Sequence, residues 1–143
     1  MDTTRIDKRI GVRAPSDRIW EIITDLENWH SWNPYETGVT GTVAFGGCIS
    51  LTEALPGMAE RQVQARIGDW QPLAQLVWAE KRGFMFNTIR YYEIEELERG
   101  NCIVSNGVIF SGLRGELFHD KHRSKIRQAY EEIAEALRRA AES

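Results

Sequence analysis

The chain is poor in the features that announce a chemistry. Of its 143 residues only two are cysteine, Cys48 and Cys102, far apart and without a Cys-x-x-Cys partner or metal-ligand spacing. A disulfide framework and a cysteine-based zinc site are therefore not indicated, and both thiols read as small, partly buried groups in a reducing compartment. There is no Gly-x-Ser-x-Gly elbow, no phosphate-binding glycine loop and no dinucleotide fingerprint. No run approaches the ~20 apolar residues that span a bilayer, and the opening MDTTRIDKRI has no apolar segment behind its charges. These absences predict a cytoplasmic protein without a membrane span. Charge of one sign is also lacking: 18 Lys and Arg against 21 Asp and Glu leave a net −3, which argues against a nucleic-acid partner. A basic cluster, Lys121, Arg123, Lys125 and Arg127, is followed at once by Glu131, Glu132 and Glu135, and reads as a solvated helix face in preference to a patch for an anionic surface.

What remains is an ordinary globular composition, 42% hydrophobic and 27% charged, in a chain of single-domain length, expected to form one unit over residues 1–143. Ile6, Lys8, Ile10 and Val12 alternate as in a half-buried strand. Ala14-Pro15-Ser16-Asp17 opens a short helix with Ile19, Ile22 and Ile23 on its apolar side. Asp25 heads a second, carrying Leu26, Trp29 and Trp32, which Pro34 stops by forcing Asn33 out of the helical region. Between Glu36 and Ser111, turn signals at Gly46-Gly47, Pro56-Gly57, Asp69 to Pro72, Arg82-Gly83 and Gly100-Asn101 divide the chain into six strands. Short connections make neighbours antiparallel. After Gly112, a proline-free stretch from about Leu113 to Glu142 carries Ile126, Tyr130, Ile133 and Leu137 in one stripe, predicting a single long amphipathic helix with an exposed Glu135–Arg139 pair.

This order predicts an α+β, helix-grip architecture: seven strands in a curved antiparallel sheet around a long C-terminal helix, with two short helices after strand 1. Seven strands at ~4.8 Å spacing make a layer about 34 Å wide, against ~10–12 Å for a helix. The sheet must curl, and curling leaves space between sheet and helix. Alternation directs Cys102, Val104, Asn106, Val108 and Phe110 inward, with Arg90, Tyr92 and Ile94, Leu76 and Trp78, and Val63, Ala65 and Ile67. By the same rule Leu51 and Glu53 belong to the third strand. Glu93, Glu95, Glu96 and Glu98 fall on the wet side or near a turn.

Ala14-Pro15-x-x-x-Ile19-Trp20, Asp25-Leu26-Glu27-Asn28-Trp29-x-x-Trp32-Asn33-Pro34, Leu76-Val77-Trp78 and Phe110-Ser111-Gly112, in this order, resemble the START-like (SRPBCC, Bet v 1-type) superfamily. The nearest likeness is to bacterial polyketide cyclase and dehydrase-like members. The resemblance spans essentially the whole chain. It implies a cavity for hydrophobic small molecules, lipids or aromatic polyketides, with Trp78, Tyr92, Asn106 and Phe110 at cavity-lining positions, and it brings no shared catalytic residue. Arg90, Asn106 and Glu53 depart from the apolar pattern such positions usually carry.

Each candidate residue has a bland reading beside its sharp one. Trp29 and Trp32 form an aromatic lid over a ligand or pack the two short helices onto the sheet, the second reading weighing more for Trp29. Arg90, if inward, needs a partner: Glu53 in a structural ion pair, or an anionic or carbonyl group on a ligand; a slipped register would leave it exposed instead. Asn106 orients a ligand or satisfies backbone beside Gly107. His119 and His122, three apart, lack a third metal ligand; His122 would be the group titrating near neutrality if the chain were an enzyme. Three functions follow. One is a binder of a hydrophobic small molecule, oriented by Arg90, Tyr92 and Asn106. Another is a cyclase or dehydratase with His122 or Glu53 carrying protons and Arg90 polarising a carbonyl. The third is a protein-interaction module with a filled pocket. No cofactor is expected, and oligomeric state is left open.

Overall fold

The computed structural model describes residues 4–143. Seven strands, β1 (Arg5–Val12), β2 (Glu36–Gly41), β3 (Cys48–Glu53), β4 (Arg61–Gln71), β5 (Gln75–Gly83), β6 (Phe86–Glu98) and β7 (Asn101–Ser111), form one antiparallel sheet. Its order is β1-β7-β6-β5-β4-β3-β2, so the last six strands are a meander and the first strand joins the last. Helix α1 (Ser16–Thr24) and a 3-10 helix (Leu26–Ser31) carry the chain from β1 at one edge to β2 at the other, and α2 (Leu113–Glu142) closes the fold. Helix α2 lies mainly over β1, β7 and β6. The rest of the sheet curls past it, which puts any opening between α2 and β3–β5.

The inward phases agree with alternation: Ile6, Val12, Val63, Ala65, Ile67, Leu76, Trp78, Ile94, Val104, Val108 and Phe110 are all buried, as is the α2 stripe Ile126, Tyr130, Ile133 and Leu137. One boundary and two side-chain partners differ from expectation. The break foreseen at Asp69 falls inside β4, where a register shift between Ile67 and Trp70 absorbs the irregular residues, and the chain turns only at Pro72–Ala74 with Leu73 at φ 68°. Glu96, expected in solvent, accepts hydrogen bonds from the Ser16 backbone N–H at 3.1 Å and its hydroxyl at 3.3 Å, placing a carboxylate at the positive end of α1. Arg138, not Arg139, pairs with Glu135, at 2.6 Å, and also with Glu142.

The turn between β5 and β6 is fastened to the start of α2, because the Met85 carbonyl accepts from the backbone N–H groups of Arg114 and Gly115. Gly112 makes that approach possible. Its φ is 82°, and a Cβ there would stand 2.2 Å from the Met85 carbonyl oxygen. Gly100, also at positive φ, has nothing within 4 Å of the same position. Replacing Gly100 by alanine is expected to cost about 1–2 kcal/mol for the left-handed backbone alone. Gly112→Ala adds a backbone collision and should cost roughly twice that or more. Urea unfolding of both variants checks the order, and equal losses would contradict the fastening.

Candidate functional site

The interior is organised by Arg90. This residue is 5% exposed and reaches from β6 beneath α2. Its Nε donates to Glu36 Oε2 (3.2 Å) and its Nη2 to Glu36 Oε1 (2.9 Å) and the Tyr92 hydroxyl (3.2 Å). Its Nη1 donates to the carbonyls of Tyr91 (3.2 Å) and Gly107 (3.1 Å). A guanidinium has five N–H donors, and all five are used. Three rings surround it, with centroids 4.3 Å (Tyr130), 4.8 Å (Tyr92) and 5.5 Å (Trp78) from its central carbon. Burial pulls the Arg90 pKa down, but the Glu36 carboxylate outweighs it and holds the group firmly charged.

Glu36 is positioned from the other side. Asn33 Oδ1 accepts from the backbone N–H groups of Tyr35 and Glu36, and Asn33 Nδ2 donates to Glu36 Oε1 at 3.1 Å. The Asn33-Pro34 pair that stops the second short helix thus also presents the carboxylate. Glu53, the partner expected for Arg90, is instead bound by Arg61 Nε at 3.0 Å, and Arg61 forks onto both oxygens of Glu80 at 2.9 and 2.6 Å. The correction is one strand wide, since Glu36 and Glu53 sit opposite each other in the β2–β3 register. For Arg61, too, burial works against the charge, and Glu80 and Glu53 more than offset it.

Beside this network lies a cleft between α2 and β3–β6. Leu51, Leu55, Met58, Val63, Phe110, Phe118 and Ile126 supply its apolar wall; Glu53, Arg61, Glu80, Arg82, Thr88, Arg90 and Tyr130 supply its polar one. Counted to its open mouth the cleft takes in about 480 Å³, but the space clear for the centre of a water-sized body is about 30 Å³, room for one or two waters. The wide hollow expected from strand counting is largely occupied. Trp29, Trp78 and Tyr92 pack against one another at centroid distances of 5.8 to 6.1 Å and fill the end beneath the short helices.

Of the residues singled out from sequence, Glu53, Trp78, Arg90 and Phe110 line the cleft. Tyr92 is fully buried in the aromatic cluster. Trp32 leans on Trp29 (5.7 Å) and lines a separate groove with α1 and the end of α2. Asn106 lies under α2, its Nδ2 donating to the Tyr130 carbonyl at 3.0 Å. His122 packs at a tilt against Phe118 (4.6 Å) outside the cleft lining; partial burial, with Lys121, Lys125 and Arg82 nearby, lowers its pKa. His119 is buried, with Nδ1 3.0 Å from Asp120, and among the described residues no group of three His, Cys, Asp or Glu could hold a metal. Sequence reasoning passed over Tyr130 and Thr88 as site residues. Tyr130 carries the helix stripe and Thr88 a strand phase, and nothing local separates such residues from core.

Removing one member of the Arg90–Glu36 pair strands the other's charge in the core. Arg90→Met is expected to destabilise by about 3–5 kcal/mol, and adding Glu36→Gln to recover much of the loss. Urea midpoints at unchanged slope measure both. A double variant no better than Arg90→Met would show that the two side chains are not coupled.

The sequence matches the family described as polyketide cyclase / dehydrase and lipid transport over residues 3–142. No curated protein gives a sequence match. Similar solved structures include a START superfamily protein from Mycobacterium smegmatis (TM-score 0.76, 16% identity, 96% of this chain and 97% of that one). The Zhui aromatase/cyclase from Streptomyces sp. R1128 is another (0.70, 15%, 96% and 90%). A third is the norcoclaurine synthase of Thalictrum flavum, a point mutant in complex with a transition-state analogue (0.71, 11%, 96% and 92%). At these identities the structures speak for the fold. With nearly the whole sequence matched, the chain belongs to the polyketide cyclase / dehydrase and lipid-transport family.

Proposed function

We propose that the protein binds a small, largely apolar molecule in the cleft between α2 and β3–β6 and recognises an oxygen acceptor on it. One observation carries this reading. Glu36 and Arg90, and Glu53, Arg61 and Glu80, pair with one another in the cleft wall, whereas Arg82 and the hydroxyls of Tyr130 and Thr88 line the cleft without a hydrogen bond to the described residues. Tyr130 is only 3% exposed, and burial, its largest influence, pushes the phenol well above its ordinary pKa. It therefore keeps its proton and acts as a donor. A donor that faces the cleft without a protein partner is free to meet an acceptor from outside.

Entry requires the rim to move. Met58 sits on the loop between β3 and β4, whose Gly57 carbonyl accepts from Lys125 Nζ on α2 at 3.3 Å. Breaking that exposed bond and turning Met58 and Phe118 outward would widen the cleft at little cost. Apolar burial then supplies most of the affinity, at roughly 25 cal/mol per Å².

The family's cyclase chemistry is served less well by these side chains. Glu53 is held by Arg61, His122 lies outside the cleft lining, and Arg90 has no donor left to polarise a carbonyl. Binding is the reading adopted.

The test is competition of paired naphthalenes against a neutral fluorescent probe, N-phenyl-1-naphthylamine. A ketone, 2-acetonaphthone, should bind better than its hydrocarbon counterpart, 2-ethylnaphthalene. Tyr130→Phe should reduce that preference by roughly three- to tenfold, one hydrogen bond's worth, while leaving the hydrocarbon unaffected. Leu51→Trp, which fills the cleft, should abolish probe binding. Probe binding that survives Leu51→Trp would place the apolar site elsewhere.

A further inference from the structure

The pole of the molecule at the cleft mouth bears an apolar surface that packing does not explain. Phe84 is 77% exposed, Leu117 60%, Leu113 56% and Met85 42%. They form one patch. Phe84 and Met85 occupy the β5–β6 turn, which is held to the first turn of α2 through the Met85 carbonyl and by Arg114 Nη1 on the Phe84 carbonyl. Leu113 and Leu117 are one helical turn apart on the exposed face of α2, with Lys121 next along the same face.

The charge around the patch opposes that of the whole. From Leu113 to Arg127 the chain has five cations, Arg114, Lys121, Arg123, Lys125 and Arg127, and two carboxylates, Glu116 and Asp120, whereas the full chain carries −3. Arg114, Lys121, Arg123 and Lys125 are exposed. The carboxylates that follow in sequence lie further along α2, away from this pole. The basic cluster that read as a solvated face in the sequence thus continues from this pole along α2, with Arg114 and Lys121 nearest the apolar side chains and Glu116 and Asp120 beside them.

We infer that this pole docks on an anionic phospholipid surface, inserting Phe84, Met85, Leu113 and Leu117 at the interface while Arg114 and Lys121 meet the headgroups. Exposed apolar side chains beside a helix segment of net positive charge are a pairing that an anionic bilayer recognises, because area burial and headgroup attraction add. A protein partner with an acidic, apolar face would use the same charges, but it would also require a matching contour. The patch is a turn beside a helix start, with its apolar side chains exposed by 42 to 77%. The Phe118 and Lys125 side chains beside the cleft mouth lie on the same stretch of α2, so docking would turn the mouth toward the lipid.

The experiment is co-sedimentation of the intact protein with vesicles of phosphatidylcholine alone and of phosphatidylcholine mixed equally with phosphatidylglycerol. Binding is expected only to the mixed vesicles, weakening as salt is raised. Phe84→Ser with Leu117→Ser, and separately Arg114→Glu with Lys121→Glu, should each weaken it by roughly tenfold or more. All four side chains are largely exposed or at the surface, and circular dichroism verifies that the variants fold. Failure to sediment with mixed vesicles, or sedimentation that neither pair reduces, overturns the inference. So does a concentration-dependent increase in mass, by ultracentrifugation without lipid, that the serine pair abolishes, since the occupant would then be a second copy. N-phenyl-1-naphthylamine binding in the same variants reads the cleft independently of this surface.

Discussion

The fold turns on a charge that has been taken out of water. Arg90 sits near the middle of the sheet, and every one of its donors is committed to Glu36, to two backbone carbonyls or to a tyrosine hydroxyl. A pair buried this deeply gives little net stabilisation against an apolar substitute, because desolvation consumes most of the attraction. Its effect is on geometry. Glu36 begins β2 at one edge of the sheet and Arg90 lies on β6, with three strands between them in the sheet order. Their contact holds the sheet curled, and the rings of Trp78, Tyr92 and Tyr130 are stacked around the guanidinium as a consequence.

That arrangement also decides where a guest can go. The end of the sheet beneath the short helices is taken up by Trp29, Trp78 and Tyr92, while the end toward the β3–β4 loop is walled by smaller or more mobile side chains such as Val63, Leu51 and Met58. Between the two ends Glu36 and Arg90, and Glu53, Arg61 and Glu80, neutralise one another. Two hydroxyls and the Arg82 guanidinium, which rests on the Phe86 and Phe118 rings, are what remain facing the cleft.

Much of this was legible in the residues. Alternation placed the inward sides of β4 to β7 correctly because one face of the sheet is dry and the other wet, and the proline-free run gave α2 from Leu113 to Glu142. The partner of Arg90 was not legible. Glu53 has the right phase, and Glu36 differs only in lying directly across from it on β2. Choosing between them requires the three-dimensional curl, and also the turn in which Asn33 captures the Glu36 backbone. The size of the hollow was misjudged for a related reason. Counting strands gives the width of a layer, but whether the space fills depends on how Trp29 enters from the short helices, a contact across more than forty residues of sequence to Trp78.

The pairing of β1 with β7 has a temporal side. Thr4 reaches the Phe110 carbonyl 106 positions away, and the α2 stripe that seals both strands comes later still. On the ribosome the first strand has no neighbour to join until β7, about a hundred residues later, has emerged. Its alternating isoleucines must stay unpaired through synthesis, and closure is a late event dominated by distant contacts, the kind that makes folding slow.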